Sequence, residues 1–175
     1  RDHVGAAGAM LVKIEGLDVV VADDNEQMRA YHRSVLELIG AARIREARDG
    51  GEAFLAICGD APDLLITDYN MAPEDGIELT RAVRDESRSP DPYLPVIMVT
   101  AYTDRQRVGM ARDAGVNGLL HKPVTPKELS RGIAEAIDDP QPFIRTRAYF
   151  GPDRRSRRAV VVRTERRAPA TGAML

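Results

Sequence analysis

Four short apolar runs punctuate the chain: Val19-Val20-Val21-Ala22, Leu64-Leu65-Ile66-Thr67, Val96-Ile97-Met98-Val99 and Gly118-Leu119-Leu120-His121. Each is branched or leucine-rich, and each is followed by a loop and a stretch with helical spacing. Continuous apolar runs of this length read as strands buried on both faces of a parallel sheet. A fifth strand is expected near Ala42 to Ala47. The intervening segments read as helices. Asn25 caps the first, whose apolar positions Met28, Tyr31, Val35, Leu38 and Ile39 follow helical spacing up to Gly40. The others are expected at Gly51 to Cys58, at Ile77 to Arg84, at Thr103 to Ala114 closed by Gly115, and from Thr125-Pro126 to about Asp138, ended by Pro140 and Pro142. Strict β and α alternation predicts an α/β fold, with a parallel sheet covered on both faces and right-handed crossovers.

Composition adds a division that the pattern alone does not show. The chain has 175 residues, 43% of them apolar, enough for one ordinary domain with a core and an appendage. Its net charge of −2 hides a split: residues 139–175 carry nine arginines against Asp139, Asp153 and Glu165, so this tail is +6 and residues 1–138 are −8. The expected organisation is an N-terminal extension at 1–16, a domain at 17–138 and a basic arm at 139–175. Residues 1 to 9 lack periodicity and read as a vector remnant or an alternative start ahead of Met10. Cys58 is the single cysteine, which excludes a disulfide within the chain; its place in an apolar helical pattern predicts a small core residue. No apolar run approaches the roughly 18 residues that span a membrane, and the start lacks a signal-peptide core, so a cytoplasmic protein without membrane contact is expected.

The chemistry sits where the four runs end. Asp23-Asp24, Asp68, Thr100 and Lys122-Pro123 follow the first, third, fourth and fifth strands. The C-terminal ends of the strands are where an open α/β sheet forms its ligand crevice. Taken singly, an Asp after a strand is a turn former, Thr100 a β-branched strand end and Lys122 a surface charge. Taken together and in order, they are the groups needed to take up and sense a phosphoryl group. His32 and His121 have no companion that suggests metal or general-base work, and His3 falls in the excluded segment.

With these positions in view, residues 17 to 138 resemble the receiver domain of two-component response regulators, the single-domain chemotaxis type in particular. The resemblance implies a flavodoxin-like doubly wound sheet of order 2-1-3-4-5, with Asp68 phosphorylated by a sensor histidine kinase. It implies Mg²⁺ held by Asp24, Asp68 and the main-chain carbonyl of Asn70, with Asp23 bonding through metal-bound water. Three converging carboxylates repel by several kcal/mol per pair at an intermediate effective dielectric, and a hard divalent cation with oxygen ligands relieves that repulsion. Lys122 and Mg²⁺ would neutralise the phosphoryl oxygens, Thr100 would donate its hydroxyl, and Ala101 would let a backbone amide approach. The Lys122-Pro123 bond is expected to be cis. Such a protein accepts a phosphoryl group and is not otherwise an enzyme.

The chain also departs from the family pattern. Ala72 stands where relatives have proline, with Pro73 following, so the loop after Asp68 is expected to take its own path. Gly76 matches. Leu119 occupies the place of the usual aromatic switch, and Tyr102 is positioned to take over part of that role or to screen the phosphate. Asn70 and Tyr102 occupy positions that tune phosphate lifetime in the family. A bulky Tyr102 hinders an attacking water, which predicts a moderately long-lived state.

Beyond the receiver, Phe143 to Phe150 reads as a strand, Gly151-Pro152-Asp153 as a turn, and Arg157 to Thr164 with Val160, Val161 and Val162 as a second strand. Three aromatics, Phe143, Tyr149 and Phe150, lie in this β-hairpin arm. An isolated hairpin is marginal in water, so a partner is expected: homodimerisation, with the arm docking on the other subunit or pairing with its equivalent. Three functions follow. The favoured one is a phosphorylation-dependent switch that signals through protein contacts without a separate output domain, with a histidine phosphotransfer protein as a further candidate partner. The second is a nucleic-acid-binding regulator acting through the tail, less favoured because no helix-turn-helix follows. The third is a haloacid-dehalogenase-like phosphatase, disfavoured because the first strand ends Asp23-Asp24-Asn25 and not Asp-x-Asp.

Overall fold

A computed structural model describes residues 15–155. Five parallel strands, β1 (Asp18–Ala22), β2 (Arg43–Ala47), β3 (Leu64–Asp68), β4 (Val96–Thr100) and β5 (Gly118–His121), form one sheet of order β2-β1-β3-β4-β5. Helices α1 (Glu26–Ile39), α2 (Gly50–Gly59), α3 (Gly76–Arg84), α4 (Arg105–Ala114) and α5 (Pro126–Asp138) make the crossovers. The parallel sheet covered on both faces is the one expected from the alternation, and its order is the flavodoxin-like one that the resemblance implied.

Successive residues on a strand face opposite sides of the sheet, so each buried run feeds two cores. Val20, Leu65, Val96, Met98 and Leu119 pack on the side of α2, α3 and α4. Val19, Val21, Leu64, Ile66, Ile97, Val99 and Leu120 pack beneath α1 and α5. The helices start where their caps dictate. Asn25 accepts from the Gln27 and Met28 amides, and capping boxes open α3 at Asp75 and α5 at Thr125. Gly40 and Gly115 close α1 and α4 in the left-handed conformation.

Two expectations are corrected. Cys58 is exposed: the buried stripe of α2 is Gly50, Ala53 and Ile57, and Cys58 lies one position off it. The arm is a hairpin, but of different extent. β6 (Phe143–Arg145) pairs antiparallel with β7 (Phe150–Pro152). Gly151 and Pro152 are thus strand residues. The turn falls at 146–149, where the Thr146 amide donates to the Tyr149 carbonyl at 2.8 Å and Thr146 Oγ1 accepts from the Ala148 amide at 3.3 Å. The expected strand from Arg157 to Thr164, with Val160, Val161 and Val162, lies outside the described residues.

The described arm packs on its own chain, at the N-terminal edge of the sheet. Tyr93, Phe143 and Phe150 form a ring cluster with centroids 5.0, 5.1 and 5.5 Å apart. Arg145 forms a two-pronged ion pair with Glu86. Arg154 reaches Asp113 at 2.6 Å. Beneath the cluster, the buried Arg84 donates to the carbonyls of Gly115, Pro92 and Leu94 and to Asn117, and its guanidinium lies 5.0 Å from the Phe143 ring centre.

Candidate functional site

At the opposite, C-terminal edge of the sheet, β1 and β3 end side by side, with Ala22 in register with Thr67. The residues that follow, Asp23 and Asp24, therefore converge on Asp68. Ligand oxygens of all three lie within 4.8 Å of one another. Asp23 and Asp68 are buried and Asp24 is exposed. A cluster of hard carboxylate oxygens, one of them open to solvent, fits a small divalent cation that keeps several waters.

β4 and β5 supply the remaining groups. Thr100 is in register with His121, and the Lys122 amide donates to the Thr100 carbonyl at 2.8 Å. Lys122-Pro123 is cis, as is Ala72-Pro73 in the loop after Asp68. Lys122 Nζ lies 2.7 Å from Asp68 Oδ1 and 3.3 Å from Asp23 Oδ2, so one ammonium spans both buried carboxylates. Burial pushes the Asp68 carboxyl up from the ordinary carboxylate range, with the Lys122 contact opposing it and the Asp23 charge adding to it. Burial disfavours the Lys122 ammonium, but its hydrogen bond to Asp68 and the Asp68 and Asp23 charges outweigh this and raise its pKa. A buried carboxylate held by a cation on one oxygen, with its other oxygen accepting from the Asn70 amide at 3.1 Å, is an oriented nucleophile.

The loop after Asp68 returns closely on itself. The Gly76 amide donates to the Tyr69 carbonyl, and a Cβ on Gly76 would stand 2.1 Å from the Asp68 carbonyl oxygen. Only glycine fits there.

Around the mouth, Asn70 Nδ2 donates to the Tyr102 hydroxyl at 2.7 Å, and Thr100 Oγ1 accepts from the Tyr102 amide at 3.0 Å. Tyr102 meets Tyr69 edge-on, with centroids 5.8 Å apart. Ala101 is exposed, and its carbonyl lies 3.1 Å from His121 Nε2. Leu119 is buried in the apolar layer on the α4 side, with no aromatic ring in its place.

The structure therefore gathers Asp23, Asp24, Asp68, Asn70, Thr100, Tyr102 and Lys122 at one edge. It sets Phe143, Tyr149 and Phe150 at the other. Two further residues belong to the surroundings: Arg107, which a reading of the sequence missed, and His32, which it set aside. Arg107 lays its guanidinium 3.7 Å from the Tyr102 ring centre and pairs with Asp104 at 3.1 Å. The spacing of a charged i and i+3 pair was the available signal, but it named no ring. His32 is fully buried in α1, and neither ring nitrogen has a protein partner. Burial lowers its pKa, the Asp23 charge opposing and the Lys122 charge reinforcing that shift. Its helical spacing from Val35, Leu36 and Ile39, which are buried with it, was the available signal.

Comparison with protein families matches residues 19–134 to the Response regulator receiver domain. Chemotaxis protein CheY of Pseudomonas aeruginosa is 36% identical over 122 residues, 70% of this chain and 97% of the relative. Chemotaxis protein CheY1 of Helicobacter pylori is 35% identical over 118 residues, 67% of this chain and 94% of the relative. Among solved structures, a putative response regulator from Chloroflexus aurantiacus superposes with a TM-score of 0.66 at 30% identity, covering 71% of this chain and 99% of that one. The arm lies beyond the matched receiver segment.

Proposed function

The chain belongs to the response regulator receiver family, and on that premise we propose that Asp68 accepts a phosphoryl group from the phosphohistidine of a sensor histidine kinase. The observation that carries this reading is the buried, oriented Asp68 carboxylate with Lys122 Nζ at 2.7 Å and two further carboxylates beside it. An Asp68 oxygen forms the new bond to phosphorus as the phosphorus–nitrogen bond breaks, and the departing imidazole takes that electron pair. Little covalent help is needed, so the protein's work is positioning and charge neutralisation. The Lys122 ammonium turns from the carboxylates to the incoming phosphoryl oxygens. Thr100 donates its hydroxyl, and exposed Ala101 leaves the backbone open to approach. Asp23, Asp24, Asp68 and the Asn70 carbonyl would hold Mg²⁺, which supplies positive charge to the carboxylate cluster and to the transferring group.

Signalling then proceeds through protein contacts, with a histidine phosphotransfer protein as a second recipient and homodimerisation through the arm as one output. Complementary charge supports an arm-to-receiver interface: Arg145 on Glu86 and Arg154 on Asp113 join the basic tail to the acidic domain. Incubation with acetyl phosphate and Mg²⁺, read by intact mass, tests the site. One phosphoryl adduct is expected on the wild-type chain and none on Asp68→Asn or without Mg²⁺. An adduct of undiminished yield on Asp68→Asn would refute it.

A further inference from the structure

The helix α4 packs on the core through small or partly buried side chains, Val108, Ala111 and Ala114, and makes its specific contacts at its two ends. Only Ala111 and Ala114 of its ten residues are buried, and a methyl group contributes little apolar area. At its start, Asp104 caps the first turn through the Arg107 amide at 3.0 Å, and Arg107 lies on the Tyr102 ring. Tyr102 in turn touches Asn70 and Thr100, and the Asn70 amide reaches Asp68. An unbroken run of contacts thus leads from Asp68 to the first turn of α4.

At its end, α4 meets the arm. Gly115, in the left-handed conformation with φ of 101°, closes the helix. Gly151 of β7 packs so closely there that a Cβ on it would stand 3.2 Å from Gly115 Cα and 2.6 Å from the Tyr149 hydroxyl. Arg154 pairs with Asp113 in the last turn at 2.6 Å and stacks 3.6 Å from the Tyr149 ring centre. A ten-residue helix is about 15 Å long and links the two sets of contacts through continuous hydrogen-bonded backbone. Displacement at one end therefore reaches the other.

We propose that the basal surface of α3 and α4, formed by Glu86, Asp113, Gly115 and Tyr93, is the docking surface of the chain's own arm, and that its occupancy is coupled through α4 to Asp68. The arm is docked while Asp68 is unmodified and leaves when Asp68 carries a phosphoryl group. Thr100 supplies the link in this proposal. Its hydroxyl accepts from the Tyr102 amide, which leaves the hydroxyl hydrogen to donate. Donation toward a phosphoryl group on Asp68 draws the Thr100–Tyr102 backbone, and with it the Arg107 turn, away from the position in which Gly115 fits Gly151. A coupling between two sites is reciprocal, so releasing the arm tightens the phosphoryl site by the same factor that occupation of that site loosens the arm.

This inference rests on Asp68 as the acceptor. Its test uses the full chain, the variants Arg154→Glu and Asp113→Arg, and the double variant that restores opposite charges. Each is titrated with beryllofluoride and Mg²⁺, a mimic of the aspartyl phosphate, and hydrogen exchange is followed at the Thr146 and Asp153 amides, which are bonded to Tyr149 and Pro142. Both altered residues are on the surface, far from the site. In the wild-type chain the mimic is expected to speed exchange at the two arm amides. Each single variant is expected to bind the mimic about fivefold more tightly, at the low end of usual couplings, and the double variant to return toward the wild-type affinity. Equal affinity in all four chains with unchanged arm exchange, or weaker binding in the single variants, overturns the coupling while leaving Asp68 as acceptor. Failure of the wild-type chain to bind the mimic at all overturns both.

Discussion

Gly76 shows how narrowly single positions are constrained. Alanine there would press on the Asp68 carbonyl from 2.1 Å, and backbone at that spot has no side chain to move aside. Gly76→Ala is expected to lower stability by about 1–3 kcal/mol, the range for forced overpacking, and to loosen Mg²⁺ binding because β3 ends at the same carbonyl. Urea unfolding and a metal titration check both. Asp68 makes a second prediction, through pH. Burial raises its folded-state pKa above the unfolded value, so its contribution to stability is complete below the unfolded pKa of about 3.9 and is lost as pH rises through the folded value. Asp68→Asn without Mg²⁺ is therefore expected to be more resistant to urea than wild type at pH 7, with the difference closing as pH falls toward 4. The acidic pair, Asp68, Thr100 and Lys122 were legible because each ends a recognisable strand. Arg84 was not: its partners Pro92, Leu94, Gly115 and Asn117 come from two distant loops that only the folded chain brings together.

Among the elements, four strands were readable from their apolar runs and β2, whose sequence Arg43 to Ala47 is largely polar, from its place in the alternation. Helix limits fell within two residues where a capping side chain named the start, as Asn25 and Thr125 did. The hairpin was misread because Gly151-Pro152 resembles a turn, whereas the Thr146 turn and the stacking of Phe143 and Phe150 on Tyr93 set the observed register. Tertiary ring packing overrode local turn chemistry. Phe150→Ala removes two of those ring contacts and the Arg145 stack. It is expected to destabilise the full chain by roughly 1–3 kcal/mol, as a partly buried aromatic truncation does, measured by urea unfolding. At the other end of α4, Arg107 steadies Tyr102 over the mouth of the site. Arg107→Ala is expected to shorten the lifetime of the aspartyl phosphate severalfold, and to have no further effect in a Tyr102→Ala background. Additive effects in the double variant would show that Arg107 acts by another route.

At the scale of the whole molecule, the acidic receiver and the described arm meet through Arg145 on Glu86 and Arg154 on Asp113, at the edge of the sheet farthest from Asp68. Within one chain, the partner of the described arm is its own receiver. Exchange of that contact between two chains would give the proposed homodimer through the same surface. Sedimentation of the full chain and of Phe143→Ala is expected to show weaker association in the variant, and a shift in wild type with the beryllofluoride mimic. No helix among the described residues is long and apolar enough to cross a membrane. All of these proposed outputs rest on one proposed covalent event, which can be located directly. The protein is phosphorylated with a small phosphodonor and Mg²⁺, then reduced with borohydride, which converts an aspartyl phosphate to homoserine. Peptide sequencing by mass spectrometry is predicted to find homoserine at position 68. Homoserine at position 23 or 24 with aspartate intact at 68 would contradict the account.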